Sequence, residues 1–570
     1  YAMFHLSPFD GNVSQWNVSN VTNFQAIFNE SSFSGDVSNW NVSSATNMRG
    51  MFKGSNFNGD VSQWDVSGVT NMKNMFLSSP FNGDISNWDV GNVTNMENLF
   101  RNSNFNGDVS NWDVDNVTNM GNLFRNSNFN GDVSQWNVSN VTTMFALFFQ
   151  SNFNGDVSQW NVGNVTNFQS MFNGSNFSGD VSNWDVSSAT NMREMFRSSN
   201  FNGDISNWDV DSVTNMYAMF YLTPFNGNVS QWDVGNVTNM KNMFNGSNFS
   251  GDVSNWDVSG ATDMKNMFRS SPFNGDISNW DVGNVTNMYA MFHLSPFDGN
   301  VSQWNVGNAT NFQAMFNGSN FSGDVSNWDV SSATNMRGMF RSSNFNGDIS
   351  DWDVSSVTNM INTFRTSPFN GDVSKWDVSN VIDMDNMFQD AINFNQDISS
   401  WCVTNITTEP SNFSVNSPLT NNNKPLWGDS CLITTWTASN AWDNGIPNSN
   451  DRAIVAADYS SSSSIRSKEL TVNTGKTLAV KDGLSVKNNL INNGNIIFKS
   501  DDNGTGQLGR FTGNITGNGT ITVERYIPVQ AEDTRAFRFL TSTVNSTQPI
   551  YDNWQESGSS PAGFGTHITG

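Results

Sequence analysis

The sequence predicts a mainly β chain: a parallel β-solenoid of about 17 coils of 24 residues, followed by smaller β-domains. Phe recurs at every twenty-fourth position from Phe4 to Phe388 without insertion, and Trp keeps the same spacing from Trp16 to Trp376, then reappears at Trp401 after a slip of one residue. Charged residues are only 14% of the chain, so its polarity comes from Asn, Ser, Thr and Gly, which are typical of turns. A fixed period of this length indicates stacked coils.

Within one repeat, the apolar positions fit a chain that turns corners. Alternation over residues 15–19 predicts a short strand with Trp16 and Val18 on one face, and Thr22 is a suitable N-cap for a short helical turn ending at Ile27. The spacing from Val13 through Trp16 and Val18 follows the leucine-rich-repeat pattern of a strand followed by a helix or 3₁₀ turn. We therefore expect a leucine-rich-repeat-like solenoid whose short strands form a parallel sheet.

The repeat resembles that of the BspA-like bacterial surface proteins. The similarity is carried by residues 201–210 (Phe-Asn-Gly-Asp-Ile-Ser-Asn-Trp-Asp-Val) and 236–240 (Asn-Val-Thr-Asn-Met), and it extends over residues 1–407. The resemblance implies a leucine-rich-repeat-like fold, a cell-surface location and a role in adhesion. It implies no particular ligand.

Two interpretations of the Trp ladder are open. The indole rings could fill the core, which we favour because Trp16 shares its strand face with Val18 while the other face is polar. Alternatively, they could form an exposed carbohydrate-binding platform. The Met-Phe pairs, such as Met51-Phe52, are expected to be core.

An Asp ladder precedes the Trp ladder, at Asp36, Asp60, Asp84 and onward. Ca²⁺ could bridge such stacked carboxylates, since it favours clusters of oxygen ligands. The favoured interpretation is that each Asp accepts a hydrogen bond from a nearby backbone N–H group. Asn replaces Asp in three repeats, and a metal site would depend on the charge. We therefore expect no cofactor, with Ca²⁺ as the alternative.

The variable positions flank the Met-Phe pairs and carry most basic residues of the array. They predict an exposed stripe that either binds a partner or is a solvated face whose charges offset the acidic ladders. Its candidate residues are Arg49, Lys53, Lys73, Arg101, Arg193, Arg197, Tyr217, Tyr221, Lys265 and Tyr289.

The composition changes after the array and suggests four regions: the solenoid (1–407), a capping linker (408–432), a second β-solenoid or β-helix-like domain (433–525) and the start of a further β-domain (526–570). Cys402 and Cys431, the two cysteines of the chain, predict a disulfide that clips the linker over the open end of the array; two separate thiols are the alternative. A disulfide implies an oxidising compartment.

The tail resembles a β-domain of type IX-secreted Bacteroidota proteins, on residues 521–528, 538–540 and 551–556. That resemblance implies the secretion machinery as a partner and the outer face of a Gram-negative cell as the location. Because the first residues recur inside the array, we expect further chain upstream of Tyr1, and we expect any C-terminal secretion signal beyond Gly570.

Charge and motifs narrow the function. A net charge of -25 opposes binding to nucleic acid, and no apolar run approaches the length of a membrane span. No catalytic constellation is recognisable around His5, His293 or His567. We expect a non-catalytic surface protein, an adhesin or structural stalk, that contacts extracellular protein or glycan. The alternatives are a Trp-based carbohydrate-binding array and a spacer in a larger secreted enzyme.

Overall fold

The coils of the array are joined by a run of turns, seen first at residues 24–31. The N–H groups of Phe24, Ala26, Phe28 and Glu30 donate to carbonyl oxygens of the next coil at 2.6–3.0 Å, while those of the intervening residues donate back within the coil, as Ile27 does to Phe24. The same alternation recurs in the following repeats. Every N–H of the run is therefore used, half within a coil and half between coils.

Left-handed residues at four-residue spacing make this run possible. Ala26 and Glu30 have φ of +57° and +56°, and the corresponding positions of later coils are also left-handed. Many of them are Gly or Asn, the residue types that tolerate this conformation best. Such residues interrupt both helix and strand. The predicted helical turn from Thr22 to Ile27 is therefore wrong. The predicted strand at 15–19 is also wrong, because those residues contain neither a strand nor a bridge; the parallel β contact is a single bridge per coil, beginning with Asn23 to Asn47.

The interior of each coil is aromatic. Phe28 and Phe33 stack at 3.7 Å between ring centroids, Phe28 lies 5.7 Å from Phe52 of the next coil, and Trp40 lies 6.5 Å from Trp64 with nearly parallel rings. The ladder Trp residues from Trp40 to Trp401 are at most 4% exposed, and the Met-Phe pairs from Met51-Phe52 onward are fully buried. The structure thus confirms a parallel solenoid of stacked coils, with almost no helix among the described residues.

The structure is a computed structural model that describes residues 2–428, 433–448, 451–486, 489–501, 504–508, 514–525 and 538–543. The chain divides into two units: Tyr1–Trp401 with Glu409–Lys424, and Cys402–Thr408 with Pro425–Gly570. In the first unit, residues 411–415 continue the inter-coil hydrogen bonds, and Phe413 meets Phe388 edge-on at 5.5 Å. One 3₁₀ helix follows, Asn421–Asn423.

The second unit contains fifteen described strands. They are β1 Ile433–Trp436, β2 Arg452–Val455, β3 Tyr459–Ser460, β4 Ile465–Ser467, β5 Glu469–Val472, β6 Thr477–Val480, β7 Gly483–Val486, β8 Leu490–Asn492, β9 Asn495–Phe498, β10 Ser500–Asp501, β11 Gly504–Thr505, β12 Gln507–Leu508, β13 Ile515–Thr516, β14 Thr520–Arg525 and β15 Arg538–Thr543.

These strands form three mainly parallel sheets and one hairpin. The sheets have the orders β1-β2-β5-β8-β13, β12-β7-β4 and β15-β14-β9-β6-β3, and β10 pairs with β11. From β2 to β9, successive strands visit the three sheets in turn, and within these sheets only β15 is antiparallel to its neighbour. Alternate residues such as Leu470, Val472, Leu478 and Val480 point into one core. This is a parallel β-helix, as the strand pattern of the tail predicted; the exact domain bounds stay a prediction.

Candidate binding groove

Trp side chains also link the coils. Each ladder indole from Trp40 onward donates its Nε1–H to a backbone carbonyl of the preceding coil; Trp40 donates to Val13 and Trp232 to Ile205, at 3.0 and 3.1 Å. The rings therefore bond inside the stack and stack on one another. A carbohydrate platform on this ladder is wrong for the described coils, because the indole faces are covered. Only Trp16, in the first coil, is substantially exposed, at 41%.

Asp and Asn side chains fix the turns. Asp36 and Asp84 each accept the backbone N–H of the residue two positions later, Ser38 and Ser86, at 2.9 and 3.0 Å. These hydrogen bonds hold the pKa of both carboxyl groups below the ordinary value. Asp60 makes the same bond to Ser62. The turn role of the ladder is thus confirmed.

Asn replaces Asp without loss of this bond. Asn228 accepts the N–H of Ser230 at 3.0 Å, and Asn300 does the same for Ser302. Within the part of the chain that the structure describes, no group of three or more His, Cys, Asp or Glu side chains is arranged to hold a metal ion. A role for Ca²⁺ stays a prediction.

The variable residues form three columns along the turn run. We define column A by Arg49, Lys73, Arg193, Tyr217, Lys265 and Tyr289, and column B by Lys53, Arg101, Arg197 and Tyr221, each with its equivalents every 24 residues. Between them runs the floor column, Gly50 and its equivalents, which is largely buried. Most residues of columns A and B are half-buried to exposed, with Gly121, Asn173 and Asn245 as buried exceptions. We call the strip bounded by the two columns the groove. The predicted stripe residues therefore lie together.

Most predicted stripe residues already have a partner within the chain. Lys53 pairs with Glu30 at 2.8 Å and Lys73 with Glu97 at 2.5 Å. Other basic residues lie over an aromatic ring of the next coil: the guanidinium of Arg193 lies 4.6 Å from the centroid of the Tyr217 ring. Where basic residues of the columns form ion pairs, their partners are Glu residues of the groove and not the Asp ladder.

The remaining stripe contacts follow the same pattern. Arg197 lies over the ring of Tyr221 and Lys265 over that of Tyr289, at 4.9 and 4.5 Å. Arg101 donates to Asn98 at 3.3 Å.

One part of the groove opens into a cavity of about 170 Å³. The cavity draws on five successive coils and is lined by Arg269, Tyr289, Ala290, His293, Gln313, Ala314, Asn317, Arg337, Gly338, Arg341 and Asn362. The sequence reasoning selected Tyr289 but missed His293 and the three arginines of this set. The signal was present in the floor column, where Ala290, Ala314 and Gly338 are successive small residues.

Cys402 is half-buried directly after the last ladder Trp, and Cys431 lies outside the described residues. The disulfide between them stays a prediction. In the described part of the chain, no helix is both long and apolar enough to cross a membrane.

Stacked 24-residue coils with buried aromatic ladders define this chain as a solenoid repeat protein. A family model described as "Mycoplasma protein of unknown function, DUF285" matches residues 1–103, 77–176, 149–249, 222–324 and 317–427. These matches together cover well over half of the 570 residues, so the chain belongs to this family. No curated protein and no solved structure matches the chain.

Proposed function

We propose that the chain is a secreted, surface-displayed and non-catalytic protein that acts as an adhesin or structural stalk. One observation carries this proposal: the inward positions repeat almost unchanged along the array, whereas the residues of columns A and B vary from coil to coil on an accessible face. A fixed scaffold with a variable outer face suits contact with another molecule. The resemblance to BspA-like proteins and that of the tail to type IX-secreted Bacteroidota proteins support an outer-surface location.

The stalk role has independent support. Inter-coil bonds join each coil to its immediate neighbours, so stability comes from nearest-neighbour contacts and the array can lengthen by adding coils. The same property suits a spacer in a larger secreted enzyme, which remains the alternative.

Location and adhesion are tested separately. Intact source cells treated with an added protease should lose the repeat array, detected by antibody; full protection of the array would contradict the surface role. Beads coated with the 570-residue chain should adhere to extracellular proteins or glycans.

The adhesion assay has a matched variant pair. The double substitution Tyr217→Gln and Tyr221→Asn places in columns A and B residue types that other coils carry there, Gln313 and Asn317. We expect weaker adhesion than with Asp252→Asn, which alters only the Asp ladder. Equal adhesion of both variants would argue that the columns are not the contact surface.

An extracytoplasmic location also predicts that Cys402 and Cys431 are joined. The mass of the purified chain should then be unchanged by iodoacetamide unless a reductant is added first. Alkylation of two thiols without reduction would show that the disulfide is absent.

A further inference from the structure

The groove contains an internal example of carboxylate binding. At one place in the floor column stands Glu194, which is 9% exposed. Its Oε1 lies 3.2 Å from Arg197 Nη1 and 3.6 Å from Arg193 Nη2, and its Oε2 accepts from Asn173 Nδ2 at 3.4 Å and from Ser170 Oγ at 3.1 Å. Two guanidinium groups and an amide thus surround one carboxylate.

The same set recurs six repeats further along the chain without the carboxylate. Arg337, Arg341 and Asn317 occupy the positions of Arg193, Arg197 and Asn173, and Gly338 stands where Glu194 stands in the earlier coil. All four residues line the cavity of about 170 Å³. The cavity therefore keeps the two arginines and the amide that hold a carboxylate and lacks the carboxylate itself; Ala314 stands where Ser170 supplies a hydroxyl in the earlier coil.

Among the residues that the structure describes, no other acid forms an ion pair with these arginines. In column B, Lys53 has Glu30 as its partner, whereas Gly318 stands at the position equivalent to Glu30 beside Arg341. Across the described ranges, no ion pair includes Arg269, Arg337 or Arg341. Burial lowers the pKa of Arg341, and the charges of Arg365 and Arg337 lower it further, which shows that like charges gather here. An anion from outside would relieve this repulsion.

Other polar groups in the cavity lining can form hydrogen bonds with the hydroxyl groups of a ligand. The Nδ1–H of His293 donates to the carbonyl oxygen of Asn317 at 2.8 Å, because a carbonyl can only accept. Burial lowers the pKa of His293, so its Nε2 is an acceptor at neutral pH. Gln313 adds an amide to the same cavity. The lining thus offers a hydroxylated ligand both donors and acceptors.

We propose that this cavity binds the carboxylate of a sugar acid, held by Arg337 and Arg341 in the way that Arg193 and Arg197 hold Glu194. Hydroxyl groups of the sugar then face Gln313 and His293. The inference deepens the proposed surface contact and rests on it for its biological setting: it names a glycan class and one place along the array.

Binding is tested with the full chain and glucuronate, using ligand-detected NMR and thermal unfolding. Glucuronate should bind and raise the unfolding temperature. Glucose, which lacks the carboxylate, and L-glutamate, which lacks the sugar hydroxyls, should bind at least about tenfold more weakly. Equal binding of glucose would overturn the carboxylate site, and equal binding of glutamate would overturn the assignment to a sugar acid.

The decisive variant restores the internal carboxylate. Gly338→Glu should weaken glucuronate binding at least about tenfold, because the new side chain would occupy the arginines as Glu194 does. Position 194 shows that Glu can adopt the left-handed backbone conformation, with φ +57°. A Cβ added at Gly338 would have one neighbour within 4 Å, Arg341 Cβ at 3.8 Å. Gly338→Ala should leave the affinity within about twofold, since no charge is added.

A second variant keeps the inference testable if Gly338→Glu does not fold. Arg341→Gln should weaken binding as strongly, whereas Arg197→Gln, in the coil that has its own Glu194, should not. Unchanged binding in Arg341→Gln overturns the inference. If the full chain adheres but does not bind glucuronate, this inference alone is overturned. If the array is protected from protease inside the cell but the purified chain binds glucuronate, the proposed function is overturned and this inference is not.

Discussion

At the residue scale, Trp acts as a core residue that also makes a specific bond between coils. The Nε1–H of Trp232 reaches the carbonyl of Ile205 from the preceding coil, and the ring stacks 6.5 Å from Trp208. Phe could preserve the stack but not the bond. The period of Trp thus reflects packing and hydrogen bonding together, which explains why other aromatic residues do not replace it in the array.

Trp232→Phe should lower the free energy of unfolding by about 2 kcal/mol, because it removes the hydrogen bond to Ile205 and leaves a gap beside the smaller ring. The carbonyl of Ile205 keeps the backbone N–H of Trp208 as a donor, so it is not left unpaired. Denaturant unfolding followed by circular dichroism measures this change. Trp16→Phe is the control: its ring is 41% exposed, so we expect a change of about 0.5 kcal/mol or less. Equal effects of the two substitutions would show that the bond to Ile205 contributes little.

Left-handed positions are the second feature at this scale. Gly246 has φ +69°, and a Cβ there would lie 2.5 Å from Leu222 Cδ2 of the preceding coil. Gly338 has φ +60°, and a Cβ there would meet only Arg341 Cβ, at an ordinary contact distance of 3.8 Å. Because the side chain of Leu222 is 54% exposed and can turn away, Gly246→Ala and Gly338→Ala should each cost about 1 kcal/mol through the left-handed backbone. The same unfolding assay compares them, and a much larger loss for Gly246→Ala would contradict a mobile Leu222.

At the element scale, the Asp ladder makes the stability of the fold depend on pH in the acidic range. Hydrogen bonds from Ser110 hold the pKa of Asp108 below its ordinary value, and they outweigh the repulsion from Asp84 and Asp132, which acts the other way. A depressed folded-state pKa means that the stabilisation is present above the unfolded value of about 3.9 and is lost as pH falls through the folded pKa.

We therefore expect the unfolding temperature to fall as the pH is lowered from about 4 towards 2. Replacing Asp108, Asp132 and Asp156 together by Asn should make this fall smaller, since Asn228 shows that an amide oxygen can make the same turn bond without titrating. Calorimetry at a series of pH values measures the difference. An identical acid profile in the triple variant would mean that other carboxyl groups control acid unfolding.

The elements also show what sequence reasoning could and could not predict. The period of Phe and Trp fixed the stacking and the core, because a strict repeat has to place equal residues in equal surroundings. The turn run was missed because its defining feature is the four-residue spacing of left-handed positions. Ala26 and Glu30 occupy two of these positions, and neither residue type indicates a left-handed conformation in the sequence as Gly would. The cavity was missed because its arginines are recognised as lacking an acidic partner only when Gly338 is compared with Glu194 six repeats earlier.

At the scale of the whole molecule, the first unit is one aromatic stack in which most coils are equivalent. Its apolar side chains point inward, its turns are held by Asp, Asn and Thr, and its variation lies in two outward columns. The second unit repeats the principle with a parallel β-helix whose aliphatic core comes from strands such as β5 and β6. In both units, repetition along the chain becomes stacking in space.

The central claim is that the Trp ladder is inside the stack, and quenching of Trp fluorescence by iodide tests it most directly. Because the ladder indoles from Trp40 onward are at most 4% exposed, their emission should be blue-shifted and largely protected from iodide. A small quenchable fraction is expected from Trp16 and from the half-buried Trp427 and Trp436 of the tail. Red-shifted emission that iodide quenches almost completely would place the ladder in water and contradict the account.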